Sequence, residues 1–252
     1  MEDFTSQSVA TLLVSLRIAP TLAFAPPFTL LRVPATVRLL LAISLAAWLV
    51  AGHPQQTWQS GFWAAGIAPS AAAELALGIA LALTLQFAFA ALLTAGRAID
   101  IQAGFGLAAL IDPATRAQMP LVGTLFAYAA AAIFFATEGP ADLLAIWQAS
   151  VAQVPLGAAR IDVDAVSLIA GYAAATFVIA FGAGGLVMLV LFVIDMAIAY
   201  MSRTLPQMNV LLLGFQVKTL ALLALLPLGV ALSSALFLRL LRYALQTTGD
   251  LL

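Results

Sequence analysis

Long apolar runs, almost free of charge, constrain this chain more than any other feature. They cover Val9–Ala25, Leu39–Ala51, Ala71–Ala95, Leu121–Ala136, Val166–Met201 and Val210–Leu238. A helix needs roughly 20 apolar residues to cross a hydrocarbon core about 30 Å thick. Lipid offers no partner to a backbone N–H or C=O, so such runs are expected to be helices that bond internally. Composition points the same way, since 64% of the residues are hydrophobic and 8% charged. A soluble chain carries about a quarter charged residues, and water would not tolerate the apolar surface left over here. The expected fold is all-α: a multi-helix integral membrane protein of helical hairpins with about six apolar segments, forming a single membrane domain over 1–252.

What the chain lacks narrows its chemistry. There is no cysteine, which excludes disulfides, thiolate metal sites and thiol nucleophiles. His53 is the one histidine and lies beside Pro54 in a polar turn, where zinc or haem would find no further ligands. The net charge of −1 gives no basic surface for nucleic acid. No HExxH, GxSxG or Walker loop occurs, and Gly104-Phe105-Gly106 lacks the strand and third glycine of a dinucleotide fingerprint. The chain therefore reads as a non-enzyme with no metal, cofactor or nucleic-acid partner. Its start, Met1-Glu2-Asp3-Phe4, is acidic where a signal peptide is basic, so the first run is expected to remain in the mature protein.

Breakers and charges divide the runs. Pro20, Pro26 and Pro27 are expected to close the first, and Gly52-His53-Pro54 the second. Trp58 and Trp63 follow in a short polar stretch and suit the bilayer interface. The stretch from Glu138 to Asp164 reads as an acidic loop. The fifth run would reach about 54 Å as one helix, well beyond the hydrocarbon core. Gly182-Ala183-Gly184-Gly185 sits near its middle, so it either breaks into a hairpin there or lies partly in protein. The Arg32/Arg38 turn, the Arg97/Arg116 stretch and the Arg203 turn are basic; the alternate loops are not. That pattern places the basic turns in the cytoplasm, and Arg239/Arg242 joins it if the fifth run is a broken pair.

Arg17, Glu74, Asp100, Asp195 and Lys218 lie within or against apolar runs, where a charge costs at least ~2.5–3.5 kcal/mol unless it faces a partner or an aqueous path. Interhelical pairing and a polar gate both fit. Arg97 and Asp100 share a helix face and could pair locally. Gly78, Ala82 and Gln86 recur every four residues, and Gly182, Gly185 and Asp195 lie along the fifth run; both series suit close helix packing. Met188, Met196, Met201 and Met208 cluster where an apolar constriction could seal by packing.

An ordered series of short motifs resembles the R component of the flagellar export gate, a family shared with the T component of virulence type III secretion. The series begins with Arg17-Ile18-Ala19-Pro20, then Pro34 with Arg38. It continues with Glu74-Leu75-Ala76-Leu77-Gly78, Gln86-Phe87-Ala88-Phe89-Ala90, Ala95-Gly96 with Asp100, Gly104 and Asp112-Pro113. It ends with Arg203-Thr204-Leu205-Pro206-Gln207-Met208-Asn209-Val210, Gly214-Phe215 and Lys218. Departures from the family pattern are Phe181-Gly182-Ala183-Gly184 in place of Ala-Leu-Pro, Asp195 in place of asparagine and Gln216 in place of proline. Gln207-Met208-Asn209 and Gly214-Phe215 favour the flagellar branch over the virulence branch.

The resemblance implies a channel or gate subunit of the flagellar type III export apparatus in the bacterial inner membrane, at the basal body. Implied partners are several copies of two small sisters, P and Q, with the B and A components docked around them. The cargo would be unfolded flagellar subunits passing through the centre, so that the protein lines or closes a pore and takes no small-molecule substrate. Hairpins that hydropathy reads as spans would then be raised out of the bilayer and buried against sisters. Structural or gate candidates are Arg17, Pro34, Glu74, Gly78, Gln86, Arg97, Asp100, Asp112, Asp195, Arg203, Pro206, Gln207, Asn209 and Lys218. In the Arg203–Asn209 turn, Pro206 would set a helix boundary and Asn209 would cap the next helix. The competing expectation is a secondary transporter of a small solute or ion, with Glu74, Asp100 and Asp195 as proton carriers and the glycine-rich break as its site.

Overall fold

Every regular element among the described residues is an α-helix, as backbone self-sufficiency in lipid demands. The computed structural model describes residues 2–57, 66–105, 120–157, 163–204 and 210–250. The helices are α1 (Glu2–Phe24), α2 (Ala35–Gly52), α3 (Pro54–Thr57), α4 (Ile67–Ala103), α5 (Leu121–Ala136), α6 (Gly139–Gln153), α7 (Val163–Thr204) and α8 (Val210–Asp250). Trp58, Trp63, Asp112, Arg116, Pro206, Gln207, Met208 and Asn209 lie outside the described residues.

Five helical stretches are long and apolar enough to cross a membrane: Thr5–Phe24, Ala35–Gly52, Ile67–Ala103, Asp164–Gly182 and Gly184–Thr204. The pair α5 and α6, bent by 72°, makes a sixth if it counts as one broken span. A multi-span helical membrane protein is thus what the chain forms.

Three boundaries differ from the sequence reading, and at Gly182–Gly185 the structure decides between its two alternatives. Pro20 does not close α1 but lies inside it, so the Leu16 carbonyl has no N–H at the usual position to bond. Gly182–Gly185 does not break α7, which runs through without a hairpin for 42 residues. Three glycines in four residues cost less than ending a helix in an apolar setting, where orphaned backbone groups would go unbonded. The stretch from Glu138 contains α6 rather than only a loop. Gly139, Leu143, Trp147, Ser150 and Val151 form a buried stripe at helical spacing, and Pro140 sits in the first turn, where its missing N–H is harmless. Finally, α8 continues past Arg239 and Arg242 to Asp250.

The chain forms two compact units. The first comprises residues 1–88, 131–175 and 241–252; the second comprises 89–130 and 176–240. In the first unit, α1 turns Ala10, Leu13, Val14, Arg17, Ile18 and Thr21 inward at spacings of three and four. Leu77, Leu81 and Leu85 of α4, Leu143 and Trp147 of α6, and Tyr172 of α7 complete that interior. In the second, Leu92 and Ile99 of α4, Val122 and Phe126 of α5, Val187 and Leu191 of α7 and Leu222 of α8 are buried. Helix α4 is the most enclosed, with 61% of its apolar window buried, against 17% for each half of α7. That contrast makes α4 a core helix and leaves α7 presenting Val178, Leu189, Phe192, Val193 and Tyr200 outward.

Candidate functional site

The charges in apolar helices find partners at long range, and those partners define the site. Arg17 of α1 and Glu74 of α4 are fully buried. Arg17 Nε donates to Glu74 Oε2 at 2.6 Å. Its Nη1 donates to the Ser150 carbonyl at 2.6 Å and to Ser150 Oγ at 3.0 Å, and Nη2 reaches the Val154 carbonyl at 3.2 Å. Glu74 Oε1 accepts the Gly157 N–H at 2.9 Å. All three guanidinium nitrogens and both carboxylate oxygens are engaged, the condition under which a buried ion pair is tolerable. The clamp joins α1, α4, α6 and the segment after α6.

Gly78 lets this clamp close. A Cβ there would stand 2.6 Å from the Arg17 carbonyl oxygen and 2.7 Å from that of Leu16. The Leu16 carbonyl is the one Pro20 deprives of its N–H, so the glycine of α4 lies against a locally opened turn of α1. Ala82 is buried as well, but Gln86 is exposed. A four-residue repeat drifts about 40° per step around a helix of 3.6 residues per turn, so the small stripe leaves the interface by its third member.

The second unit holds two further fastenings. Asp100 of α4 accepts the Val122 N–H, at 3.1 Å to Oδ1 and 3.2 Å to Oδ2. It therefore caps the N-terminus of α5 from another helix, where a carboxylate also meets the favourable end of the helix dipole. The anticipated Arg97–Asp100 pair does not form, because the capping contact takes the carboxylate and Arg97 is exposed. Asp100→Ala is expected to cost about 1 kcal/mol of stability, with Asp100→Asn closer to the wild type. Thermal unfolding in mild detergent checks this, and no loss on removing the carboxylate would dismiss the cap.

Lys218 of α8 forms an ion pair with Asp195 of α7 and donates to the Gln102 carbonyl at 3.1 Å. The Gln102 side chain donates to the Met188 carbonyl at 3.0 Å. A lysine at the C-terminal end of α4 also complements that helix's negative pole. Phe215 packs edge-on against Phe105, with ring centroids 6.1 Å apart.

Other candidates are placed differently. Pro34 is exposed and immediately precedes α2, and Arg203 is exposed in the last turn of α7. Gly182 and Gly185 have nothing within 4 Å of where a Cβ would be, so they mediate no close approach, contrary to the packing expectation. Gly182 is exposed and Gly185 half-buried; Gly184 turns inward instead and meets Ile99. Met196 and Met201 are exposed on α7. Asp112, Pro206, Gln207 and Asn209 lie outside the described residues.

Ser150, Gly157 and Gln102 escaped the sequence reading. Ser150 was hidden because its helix reads as loop, and Gln102 because one amide in a helix has no spacing signal. Arg38 carried a usable one. Its Nη1 donates to the carbonyls of Leu22 and Ala23, whose usual partners four residues on are Pro26 and Pro27.

Chemically, these arrangements hold helices together and offer no reacting group. Glu74 and Asp100 are bound to fixed donors and buried, and Asp195 is paired, which is poor equipment for carrying protons. Among the described residues, no cluster of three His, Cys, Asp or Glu side chains is placed to hold a metal ion.

The family described as bacterial export proteins, family 1, matches this chain over residues 8–244. The chain is 26% identical over 222 residues to the flagellar biosynthetic protein FliR of Escherichia coli (strain K12), covering 88% of this chain and 81% of that protein. It is 35% identical over 151 residues to the flagellar biosynthetic protein FliR of Bacillus subtilis (strain 168), covering 58% of this chain and 57% of that one.

Proposed function

We propose, from the premise that this chain belongs to the bacterial export proteins of family 1, that it is a non-enzymatic gate subunit of the flagellar type III export apparatus. Residues 1–252 act as one membrane domain in the inner membrane at the basal body, assembled with the P and Q sisters and with the B and A components. Unfolded flagellar subunits are the cargo. The observation that carries this reading is the family match across nearly the whole chain, with relatives named for flagellar biosynthesis.

Helix lengths support it. Helices of 37, 42 and 41 residues reach about 55, 63 and 61 Å, roughly twice the hydrocarbon core. Parts of α4, α7 and α8 therefore stand outside lipid, and α7 is too apolar to meet water there. Protein sisters covering α7 resolve this conflict, with hairpins raised out of the bilayer and packed into a hetero-oligomer. The buried clamps give each hairpin a fixed shape before partners arrive.

Affinity purification of a C-terminally tagged chain from native membranes in mild detergent, with mass spectrometry of what accompanies it, tests the proposal. The P and Q sisters are expected in a stable particle. Recovery of the chain alone, with both sisters expressed, would sink the gate reading.

A further inference from the structure

We infer that the exposed turn between α1 and α2 docks a partner protein, which sets a carboxylate on the Arg32 guanidinium. The case begins with the backbone. Among the described residues four have positive φ, and three of them are glycines: Gly66, Gly104 and Gly157. The fourth is Arg32, at φ 53°. An L residue in this region crowds its Cβ against the next carbonyl, a strain that glycine escapes.

The turn explains the conformation but not the residue. The Leu31 N–H donates to the Pro27 carbonyl at 3.4 Å and the Arg32 N–H to the Thr29 carbonyl at 3.2 Å. Residues 27–31 thus make one helical turn, and Arg32 ends it in the left-handed conformation, where glycine or asparagine is usual. Glycine would close the same turn without strain, so the shape of the backbone gives no reason for an arginine. Strain kept at a bulky, exposed residue is kept for what its side chain does.

That side chain is exposed, and the ion pairs among the described residues are those of Arg17 and Lys218. Its base is fixed. Phe28 packs edge-on against Phe134 and Phe135, with ring centroids 6.3 and 6.1 Å away. On the other side, Arg38 ties the start of α2 to the Leu22 and Ala23 carbonyls. The turn therefore presents, from a held backbone, a planar fork of donors that matches the two oxygens of a carboxylate. Leu31, 56% exposed, and Pro34, exposed as well, stand beside it. An apolar margin of this kind accompanies arginine anchors in protein interfaces. A lipid headgroup or a moving unfolded chain meets a cation on a flexible stem equally well. Pre-setting the backbone lowers the cost of binding where the approach is fixed from the other side too, as on a folded partner.

Photo-crosslinking in native membranes tests this, with p-benzoylphenylalanine replacing Leu31 in the full-length chain. The expected adduct holds one partner protein, joined through a segment that carries an aspartate or glutamate. Arg32→Gly and Arg32→Asn accept the left-handed backbone, so in mild detergent each should unfold at or above the wild-type temperature. Both should nevertheless cut the adduct yield about tenfold, the loss of one charge-assisted contact. Arg32→Glu should lose the adduct as well, and a lysine in place of the partner's carboxylate should restore it. Yield unchanged in Arg32→Gly, adducts confined to lipid or exported subunits, or a reversed pair that restores nothing would overturn the inference. So would an Arg32→Gly variant that unfolds well below the wild type, since the arginine would then serve the turn itself. The contact goes beyond the gate reading and fails separately from it. The sisters can co-purify without an adduct at position 31, and an adduct can form with a protein that is no sister.

Discussion

Arg17→Met or Glu74→Leu, made singly, is expected to destabilise the chain by about 3–5 kcal/mol, because each leaves the partner's charge buried and uncompensated. Neither side chain can relax to solvent, since their relative exposures are 1% and 0%. Removing Arg17 also takes the guanidinium donor from the Val154 carbonyl and leaves the Ser150 carbonyl only its Val154 N–H, and removing Glu74 leaves the Gly157 N–H without its acceptor. Each orphaned group adds to the loss. The double substitution should be more stable than either single one, as the naked charge is gone, yet less stable than the wild type, as those backbone groups remain unpaired. Thermal unfolding in mild detergent, together with accumulation in membranes, measures the ordering. Single variants within about 1 kcal/mol of wild type would mean that the pair is not sealed from water as its geometry indicates.

Gly96→Ala should part α4 from α5. A Cβ on Gly96 would stand 2.2 Å from the Cα and the N of Gly123, and one on Gly123 would stand 2.6 Å from the Leu93 carbonyl oxygen. Two backbones in contact cannot yield as a flexible side chain does, so the helices must separate by more than an ångström. Overpacking of this kind costs about 1–3 kcal/mol and sometimes more, exceeding the gain of up to about 1 kcal/mol from alanine's better helix propensity. Asp100 lies one turn beyond Gly96 and holds Val122, next to Gly123, so separation stretches that cap as well. Gly171→Ala is the control. It has nothing within 4 Å of its Cβ position and should be neutral or slightly stabilising in the isolated chain. Equal behaviour of the two variants would remove the close crossing of α4 and α5 from the account of this fold.

Fold class and membrane character were legible in the residues because both follow from local quantities. Apolar run length sets a span, and the bilayer's lack of hydrogen-bond partners makes it a helix. The edges of α5 coincide with the fourth run, since Pro120 and the polar Thr137-Glu138 mark real chemical boundaries. Pro20 misled, and Gly182–Gly185 left two outcomes open, for a common reason. Breaker residues end helices in water, which satisfies the freed backbone groups, whereas in an apolar interior ending a helix costs more than bending or tolerating one. The acidic stretch after Glu138 misled differently: a few surface charges masked the Leu143–Trp147–Val151 stripe beneath them.

By itself the sequence determined that this protein is a bundle of apolar helices, that Arg17, Glu74, Asp100, Asp195 and Lys218 must face either partners or an aqueous path, and which family it resembles. Each of those conclusions needs only composition, local period or ordered motifs. Tertiary structure alone decided which group meets which. Glu74 takes Arg17 and Gly157, Asp100 turns from its neighbour Arg97 to the start of α5, and Gly96 meets Gly123. A helical period tells which face a residue occupies, but not which other face will lie against it. That choice is made by backbone separation and shape, quantities that exist only once the helices have packed.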